Sequence, residues 1–97
     1  MLEDSTARQP LSNKEKRDLD VEITFLEGLT KRGPQYVEAL QLLGDNYTKR
    51  DRFHDGLTVD EHLSRLLPED SMVYYNLACS YSLTDRIDES ITALNKA

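Results

Sequence analysis

The 97 residues suffice for one small domain, and 38% hydrophobic with 31% charged residues is the balance of a globular chain, not a disordered one. The net charge of -6 leaves no basic surplus for a nucleic-acid backbone, and no apolar run approaches the roughly 20 residues of a membrane span. The single cysteine, Cys79, excludes an intramolecular disulfide. Because signal-peptide features are also missing at the N-terminus, a cytoplasmic location is expected.

The first predicted element is a helix that follows a polar tail. Residues 1–12 show no periodicity and are predicted to be a flexible N-terminal tail. Ser12 and Glu15 have the spacing of a capping box, which predicts that a helix begins at residue 13. Its apolar residues recur every three or four positions until Gly33-Pro34, which should end this helix and open the next one.

Four further helices are predicted. The second carries Val37 on its apolar face, the third runs from near Phe53 to Pro68, and the fifth runs from about Ile87 to the end. Asp70 is placed to cap the fourth helix. No sustained alternation of apolar and polar residues indicates a strand. We therefore predict an all-α protein of about five helices.

When the sequence is aligned with itself at a shift of 34 residues, Pro34 is aligned with Pro68 and no gap is needed. The same displacement places Tyr47 on Tyr81. The other matching pairs are Leu40/Tyr74, Leu43/Leu77, Gly44/Ala78, Phe53/Ile87, Gly56/Ser90, Leu57/Ile91 and Leu63/Ala97. The small residues among them should let the two helices of each unit approach closely where they cross. A repeated unit of this length, built from two helices, buries its apolar face only by stacking on its neighbours.

This pattern resembles the tetratricopeptide repeat, and Tyr74–Tyr81 is the part that matches best. The match continues into an acidic pair, a small residue and an aliphatic residue at 88–91. The resemblance implies a single domain over residues 13–97, with a half-repeat or capping helix at 13–35, a full repeat at 37–70 and a second repeat without its closing turn at 71–97. It also implies antiparallel helix pairs stacked as a short right-handed α-solenoid.

Two residues depart from the family pattern. Asp60 occupies a position at which the family buries a large apolar residue. Leu94 is at the equivalent position in the next unit. If Asp60 faces the core, Asp60→Leu should stabilise the protein. Glu22 stands where the family has a small residue, so the first helix is either a half-repeat or a divergent cap.

The resemblance further implies a concave groove, lined by the first helix of each unit, that holds a peptide or helix of a partner protein. Its residues would be Glu38, Gln41, Asp45, Thr48, Met72, Tyr75, Asn76, Cys79 and Ser82. The alternative is that these residues form only the solvated face of two amphipathic helices. Tyr75 stands out because exposed aromatic residues often anchor interfaces. Asp45 would repel the terminal carboxylate that one subtype of the family binds, so we expect a basic or apolar segment.

No catalytic or metal-binding role is predicted. His54 and His62 are eight residues apart. On a helix that is about 12 Å along the axis, which is too far for them to share a metal ion. We expect both on a hydrated outer surface. Cys79 has no histidine placed in sequence to activate it. We therefore expect neither enzyme activity nor a cofactor.

Together these features predict a non-catalytic adaptor whose partner is a protein or peptide, and not a nucleic acid or a membrane. Two alternatives stay open. The chain could self-associate as a homodimer through its C-terminal helix, where Ile87, Ile91 and Leu94 would leave apolar surface uncovered. It could also be the terminal part of a longer repeat array.

Overall fold

The computed structural model describes residues 10–97, which form five helices and no strand. The helices are α1 (Asn13–Arg32), α2 (Val37–Lys49), α3 (Phe53–Leu66), α4 (Ser71–Leu83) and α5 (Ile87–Leu94). The prediction of an all-α chain of about five helices is confirmed. The predicted flexible tail lies outside the described residues, apart from positions 10–12.

Side-chain caps define where two of the helices begin. The Ser12 hydroxyl accepts the Glu15 N–H at 3.1 Å, and the Glu15 carboxylate accepts the Ser12 N–H at 2.8 Å. This is the predicted capping box. Asp70 accepts from the N–H groups of Met72 and Val73, as predicted for the cap of α4. Each cap satisfies backbone donors that have no partner inside the first helical turn.

Two helix boundaries differ from the prediction. Pro34 does not open α2: it lies in a turn closed by the bond from the Tyr36 N–H to the Gly33 carbonyl, and Tyr36 is the N-cap of α2. α5 ends at Leu94 and does not continue to Ala97. After Leu94 the last two N–H groups bond to carbonyls three residues back, which is turn geometry and not α-helical geometry.

Each helix packs against the next one along the chain, and α3 separates α2 from α4. No Cα atom of α2 lies within 8 Å of a Cα atom of α4. The larger apolar cluster joins α1 to α4 and contains Ile23, Leu26, Leu40, Leu43, Tyr47, Val59, Leu63 and Val73. A smaller cluster joins α3, α4 and α5 and contains Leu57, Leu77, Ala78 and Ala93. Because α2 and α4 meet only through α3, a space is left between them.

The turns between paired helices repeat at the same interval as the sequence. Asp51 and Asp85, which are equivalent in the repeat, have positive φ angles of 60° and 62°. Aspartate is one of the few residues other than glycine that enter this left-handed region readily. In each turn the N–H of the following arginine donates to a tyrosine carbonyl, that of Tyr47 or Tyr81, at 2.8 Å. The repeat therefore extends to backbone geometry.

A cluster of four side chains repeats as well. Its members are Glu27, Tyr47, Arg52 and Asp55 in one copy and Glu61, Tyr81, Arg86 and Glu89 in the other. In both copies the tyrosine hydroxyl donates to a glutamate on the helix before its own, the arginine lies over the tyrosine ring, and the arginine also binds a carboxylate on the next helix. The ring-to-guanidinium distances are 4.7 Å and 5.0 Å. These contacts tie each turn to its neighbouring helices.

Small residues lie where the two helices of a unit cross, as predicted. A Cβ atom on Gly44 would lie 3.4 Å from Val59 Cγ1, and one on Gly56 would lie 3.8 Å from the Gly44 carbonyl oxygen. In the second unit the Ser90 hydroxyl donates to the Ala78 carbonyl at 2.8 Å. The first crossing therefore has a glycine at the position where the second has a serine that forms a hydrogen bond across the two helices.

Candidate binding cleft

A cleft of about 540 Å³ opens between α2 and α4, with α3 at its floor. α2 contributes Gln41, Gly44, Asp45, Thr48 and Lys49; α3 contributes Asp60 and Leu63; α4 contributes Met72, Asn76, Cys79, Ser80 and Leu83. The volume lies within the range of about 300–1,000 Å³ that is common for binding sites. The cleft is a direct consequence of the separation of α2 from α4.

Six of the nine predicted groove residues line this cleft, namely Gln41, Asp45, Thr48, Met72, Asn76 and Cys79. The other three, Glu38, Tyr75 and Ser82, are exposed on the same two helices but outside the lining. The walls of a cleft face each other, so α2 and α4 present different flanks to it. An exact repeat would predict that equivalent residues line the cleft from both helices. Because the two walls use different sides of their helices, Gln41 lines the cleft but its equivalent Tyr75 does not.

Six further lining residues were not predicted from the sequence, namely Gly44, Lys49, Asp60, Leu63, Ser80 and Leu83. Asp60 is the most informative of them. Its position in the repeat predicted an apolar core site, but the half-buried Asp60 side chain lies at the floor of the cleft. There it accepts a hydrogen bond from the hydroxyl of Ser80, which is itself only 5% exposed.

The surroundings of Asp60 disfavour its charge. Burial raises the pKa of the Asp60 carboxyl to about 6, and the nearby negative charge of Asp45 adds to the rise, while the bond from Ser80 opposes it. Lys49 also lines the cleft, but among the described residues no lysine or arginine forms an ion pair with Asp60 or Asp45. At pH 7 the cleft therefore holds carboxylates with no paired cation.

A signal for the Asp60–Ser80 bond exists in the repeat. Asn46, the equivalent of Ser80 in the preceding unit, is 1% exposed and donates to the Glu22 carboxylate on α1 at 2.9 Å. In both units a buried polar side chain of the first helix thus donates to a carboxylate on the helix before it. A polar residue at this repeat position, together with an acidic residue on the preceding helix, could have predicted both bonds. Glu22 therefore has a structural role, because it accepts the hydrogen bond of the buried Asn46 side chain.

Part of the cleft lining is apolar and accessible. On α4, Met72 is 63% exposed and Leu83 is 47% exposed. Both flank the stretch of α4 that carries Asn76 and the exposed Cys79. The cleft therefore offers apolar contact surface beside its carboxylates, which is the mixture found in sites that bind peptide side chains.

The two histidines are placed differently from one another. His54 is exposed, but His62 is partly buried, with Nε2 at 2.6 Å from the Pro34 carbonyl oxygen. His62 is thus less exposed than His54, because the turn after α1 packs against α3. Among residues 10–97 no group of three or more His, Cys, Asp or Glu side chains is arranged to hold a metal ion.

Comparison of the chain with protein-family models, with curated proteins and with solved structures gave no match. Across residues 10–97 no helix has both the length and the apolar character needed to cross a bilayer. Function therefore has to be inferred from the repeat, the cleft and the exposed surface of this molecule.

Proposed function

We propose that the chain is a non-catalytic protein-interaction module of the tetratricopeptide type, which holds a peptide or helix of a partner protein in the cleft between α2 and α4. The observation that carries this proposal is the cleft itself, whose lining includes six residues expected in a ligand groove. A short right-handed solenoid of antiparallel helix pairs is the architecture that goes with it, supported by turns and side-chain contacts that recur at the interval of the sequence repeat. The single cysteine supports a cytoplasmic location.

The chemistry of the lining supports binding and not catalysis. Cys79 is the strongest nucleophile there, but the lining contains no histidine that could act as its base. The two hydroxyl groups of the lining already donate hydrogen bonds, that of Ser80 to Asp60 and that of Thr48 to the Gly44 carbonyl at 3.1 Å. The arrangement is suited to holding polar and apolar side chains of a partner.

The test is partner capture with three immobilised forms of the whole chain. Asn76→Trp fills the cleft from an exposed position on α4, and Tyr75→Ala alters the adjacent exposed residue, which lies outside the lining. We expect wild type and Tyr75→Ala to retain the same protein from a cell extract and Asn76→Trp to lose it. Circular dichroism must first show equal helicity for all three.

Two results would contradict the proposal. Retention by Asn76→Trp at the wild-type level would move the binding site off the cleft. Loss by Tyr75→Ala alone would move it to the outer flank of α4, where the sequence placed an aromatic anchor.

A second candidate function is self-association through α5. Ile87, Ile91 and Leu94 are 53%, 55% and 51% exposed on that helix. Leu57, which is equivalent to Ile91 in the preceding unit, is 4% exposed. Contiguous apolar surface of this kind is typical of interaction sites. Sedimentation equilibrium distinguishes the candidates: dimers at micromolar concentration that are weakened by Leu94→Asp would favour self-association, and a monomer at every concentration would exclude it.

A further inference from the structure

The cleft has the Asp60 carboxylate at its floor, Asp45 on the α2 wall and exposed apolar side chains on the α4 wall. We propose that the segment bound there carries a lysine or arginine whose cationic group binds at Asp60 and Asp45, while apolar neighbours in that segment pack on Met72 and Leu83. This inference rests on the proposed function, because it specifies the chemistry of the segment held in the same cleft.

The geometry of Asp60 leaves one oxygen available to a ligand. Oδ2 accepts the hydrogen bond from Ser80, and among the described residues no donor bonds to Oδ1. Oδ1 is directed towards Gly44 on the α2 wall, since a Cβ atom built on Gly44 would lie 3.5 Å from it. Oδ1 is accessible, because among the described residues no buried side-chain oxygen is without a hydrogen-bond partner. A lysine or arginine N–H is the donor type that completes a half-satisfied carboxylate.

Charge complementarity selects a cation over other side chains. Asp45 is exposed in the lining and adds a second negative charge close to Asp60, and the chain as a whole has a net charge of -6. An acidic segment would be repelled by both carboxylates, which outnumber Lys49, the one cationic side chain among the lining residues. A purely apolar segment would strip water from Asp60 without supplying a donor, which is unfavourable for a carboxylate. The cleft therefore discriminates against both of these alternatives.

Protonation of Asp60 should also make the affinity for a basic segment depend on pH. The groups that act on Asp60 are Asp45 on α2 and Ser80 on α4, and Lys49 and Cys79 are the other titratable groups in the cleft lining. Since the pKa of Asp60 is about 6, it is mostly ionised at pH 7.5 and mostly protonated at pH 5. A cation binds the ionised form, so the affinity for a basic segment should fall as the pH is lowered across this range.

The experiment begins with a random library of short peptides selected at pH 7.5 on the immobilised whole chain, with Asn76→Trp as the cleft-filled reference. We expect the peptides that bind only the wild type to be enriched in lysine or arginine with apolar neighbours. The most enriched peptide and its analogue with norleucine at the basic position are then titrated calorimetrically against wild type and Asp60→Asn. Asp88→Asn, which removes one exposed acidic charge on α5, is the matched control.

We expect affinity to fall about tenfold or more for the norleucine analogue and for Asp60→Asn, and to be unchanged for Asp88→Asn. Between pH 7.5 and pH 5 the wild type should lose about tenfold in affinity and Asp60→Asn should lose none. Asp45→Asn, at an exposed position, provides a second variant should Asp60→Asn fail to keep wild-type helicity.

The outcomes separate this inference from the proposed function. Cleft-dependent peptides without a basic preference, or affinity that does not change in Asp60→Asn and Asp45→Asn, would overturn the inference and leave the peptide-binding cleft in place. A selection that enriches no peptide, or only peptides that bind Asn76→Trp equally well, would overturn the proposed function itself.

Discussion

The two repeat units, residues 37–70 and 71–97, share the backbone geometry of their turns but differ in how their surfaces are covered. Their turns have the same left-handed aspartate and the same backbone hydrogen bond. Yet Leu57 is 4% exposed and its equivalent Ile91 is 55% exposed. α4 and α5 cover Leu57, and within the described residues no helix follows α5 to cover Ile91. Residues inside a unit thus determine its local shape, and the neighbouring unit determines its burial.

The two units also differ in chemistry at equivalent positions. Asp60 and Leu94 are equivalent, but Asp60 is half-buried at the cleft floor and Leu94 is 51% exposed on α5. The first unit therefore has a carboxylate where the second has an apolar side chain, and this carboxylate is one of the two in the cleft lining.

The largest expected effect comes from overpacking the crossing of the second unit. Ala78 is 3% exposed and packs in the same cluster as Leu57. Ala78→Leu should reduce the free energy of unfolding by roughly 1–3 kcal/mol, because the added side chain has no space at this crossing. Urea denaturation measures the loss, and Cys79→Leu, at the adjacent exposed position, should leave stability nearly unchanged. Equal stability of Ala78→Leu and wild type would mean that the helices do not cross at this residue.

The next effect tests the Asp60 carboxyl, whose pKa is about 6 in the folded chain against an ordinary value of 3.8. The folded state binds the proton more tightly, so this contribution to stability is present below pH 4 and is lost as the pH rises through 6. Because Asp60 is partly solvated, we expect its cost at pH 7.5 to be on the order of 2 kcal/mol. Asp60→Asn should remove that cost and flatten the pH dependence.

Urea denaturation of wild type and Asp60→Asn at several pH values between 4 and 7.5 checks this. The difference between the two curves isolates Asp60 from the other titrating groups, and Asp88→Asn is again the control. Parallel curves would show that Asp60 has the same pKa in the folded and unfolded chain. Asp60→Leu, expected to stabilise if Asp60 faced the core, is a less direct test because it also deprives Ser80 of its acceptor.

The tyrosine–glutamate bonds give a smaller effect that differs between the units. Tyr47 is 7% exposed and its hydroxyl donates to Glu27 at 2.5 Å, whereas Tyr81 is more accessible and donates to Glu61 at 2.9 Å. Burial and the bond to Glu27 raise the pKa of Tyr47, which keeps its hydroxyl protonated as a donor. Tyr47→Phe should cost roughly 1–2 kcal/mol and Tyr81→Phe less than about 1 kcal/mol.

Urea denaturation again provides the measurement, with Tyr75→Phe as the control because Tyr75 is 50% exposed. Equal losses for Tyr47→Phe and Tyr81→Phe would show that the strength of this repeated bond does not depend on how deeply each unit is covered.

Local signals explain how much of the fold could be predicted. The capping box at Ser12 and Glu15 and the cap at Asp70 act over three residues or fewer, and the structure contains both. The match of the sequence with itself identified the residues at the helix crossings because that geometry repeats. Pro34 was placed wrongly at the helix start because the bond that closes its turn competes with helix initiation.

The cleft was predicted less completely because it depends on contacts between distant residues. Asp60 reaches Ser80 across 20 residues and Asn46 reaches Glu22 across 24, so neither bond has a local sequence signature. A repeat also predicts the same flank for every first helix, whereas the two walls of a cleft use different flanks. For that reason Tyr75, the most prominent groove residue in the sequence, lies outside the lining.

Substitutions that exchange the residues at the two helix crossings should change the free energy of unfolding least. Gly56 has no side chain that could bond to the Gly44 carbonyl, which accepts the Thr48 hydroxyl, whereas Ser90 donates a hydrogen bond to the equivalent carbonyl of Ala78. Gly56→Ser should stabilise by about 0.5–1 kcal/mol, because serine is the better helix former and can make the bond seen in the second unit. Ser90→Ala should cost only about 0.5 kcal/mol, since alanine's helix propensity offsets part of the lost bond.

Thermal and urea denaturation of both variants decide whether the crossings are interchangeable. A Cβ atom at Gly56 would lie 3.4 Å from Thr48 Oγ1, which is ordinary contact, so serine should fit without moving the helices. If Gly56→Ser instead lowers stability, the first crossing is too tight for any side chain. The glycines at 44 and 56 would then be required to hold α2 and α3 close together. The same close approach would fix the position of Asp60 at the cleft floor.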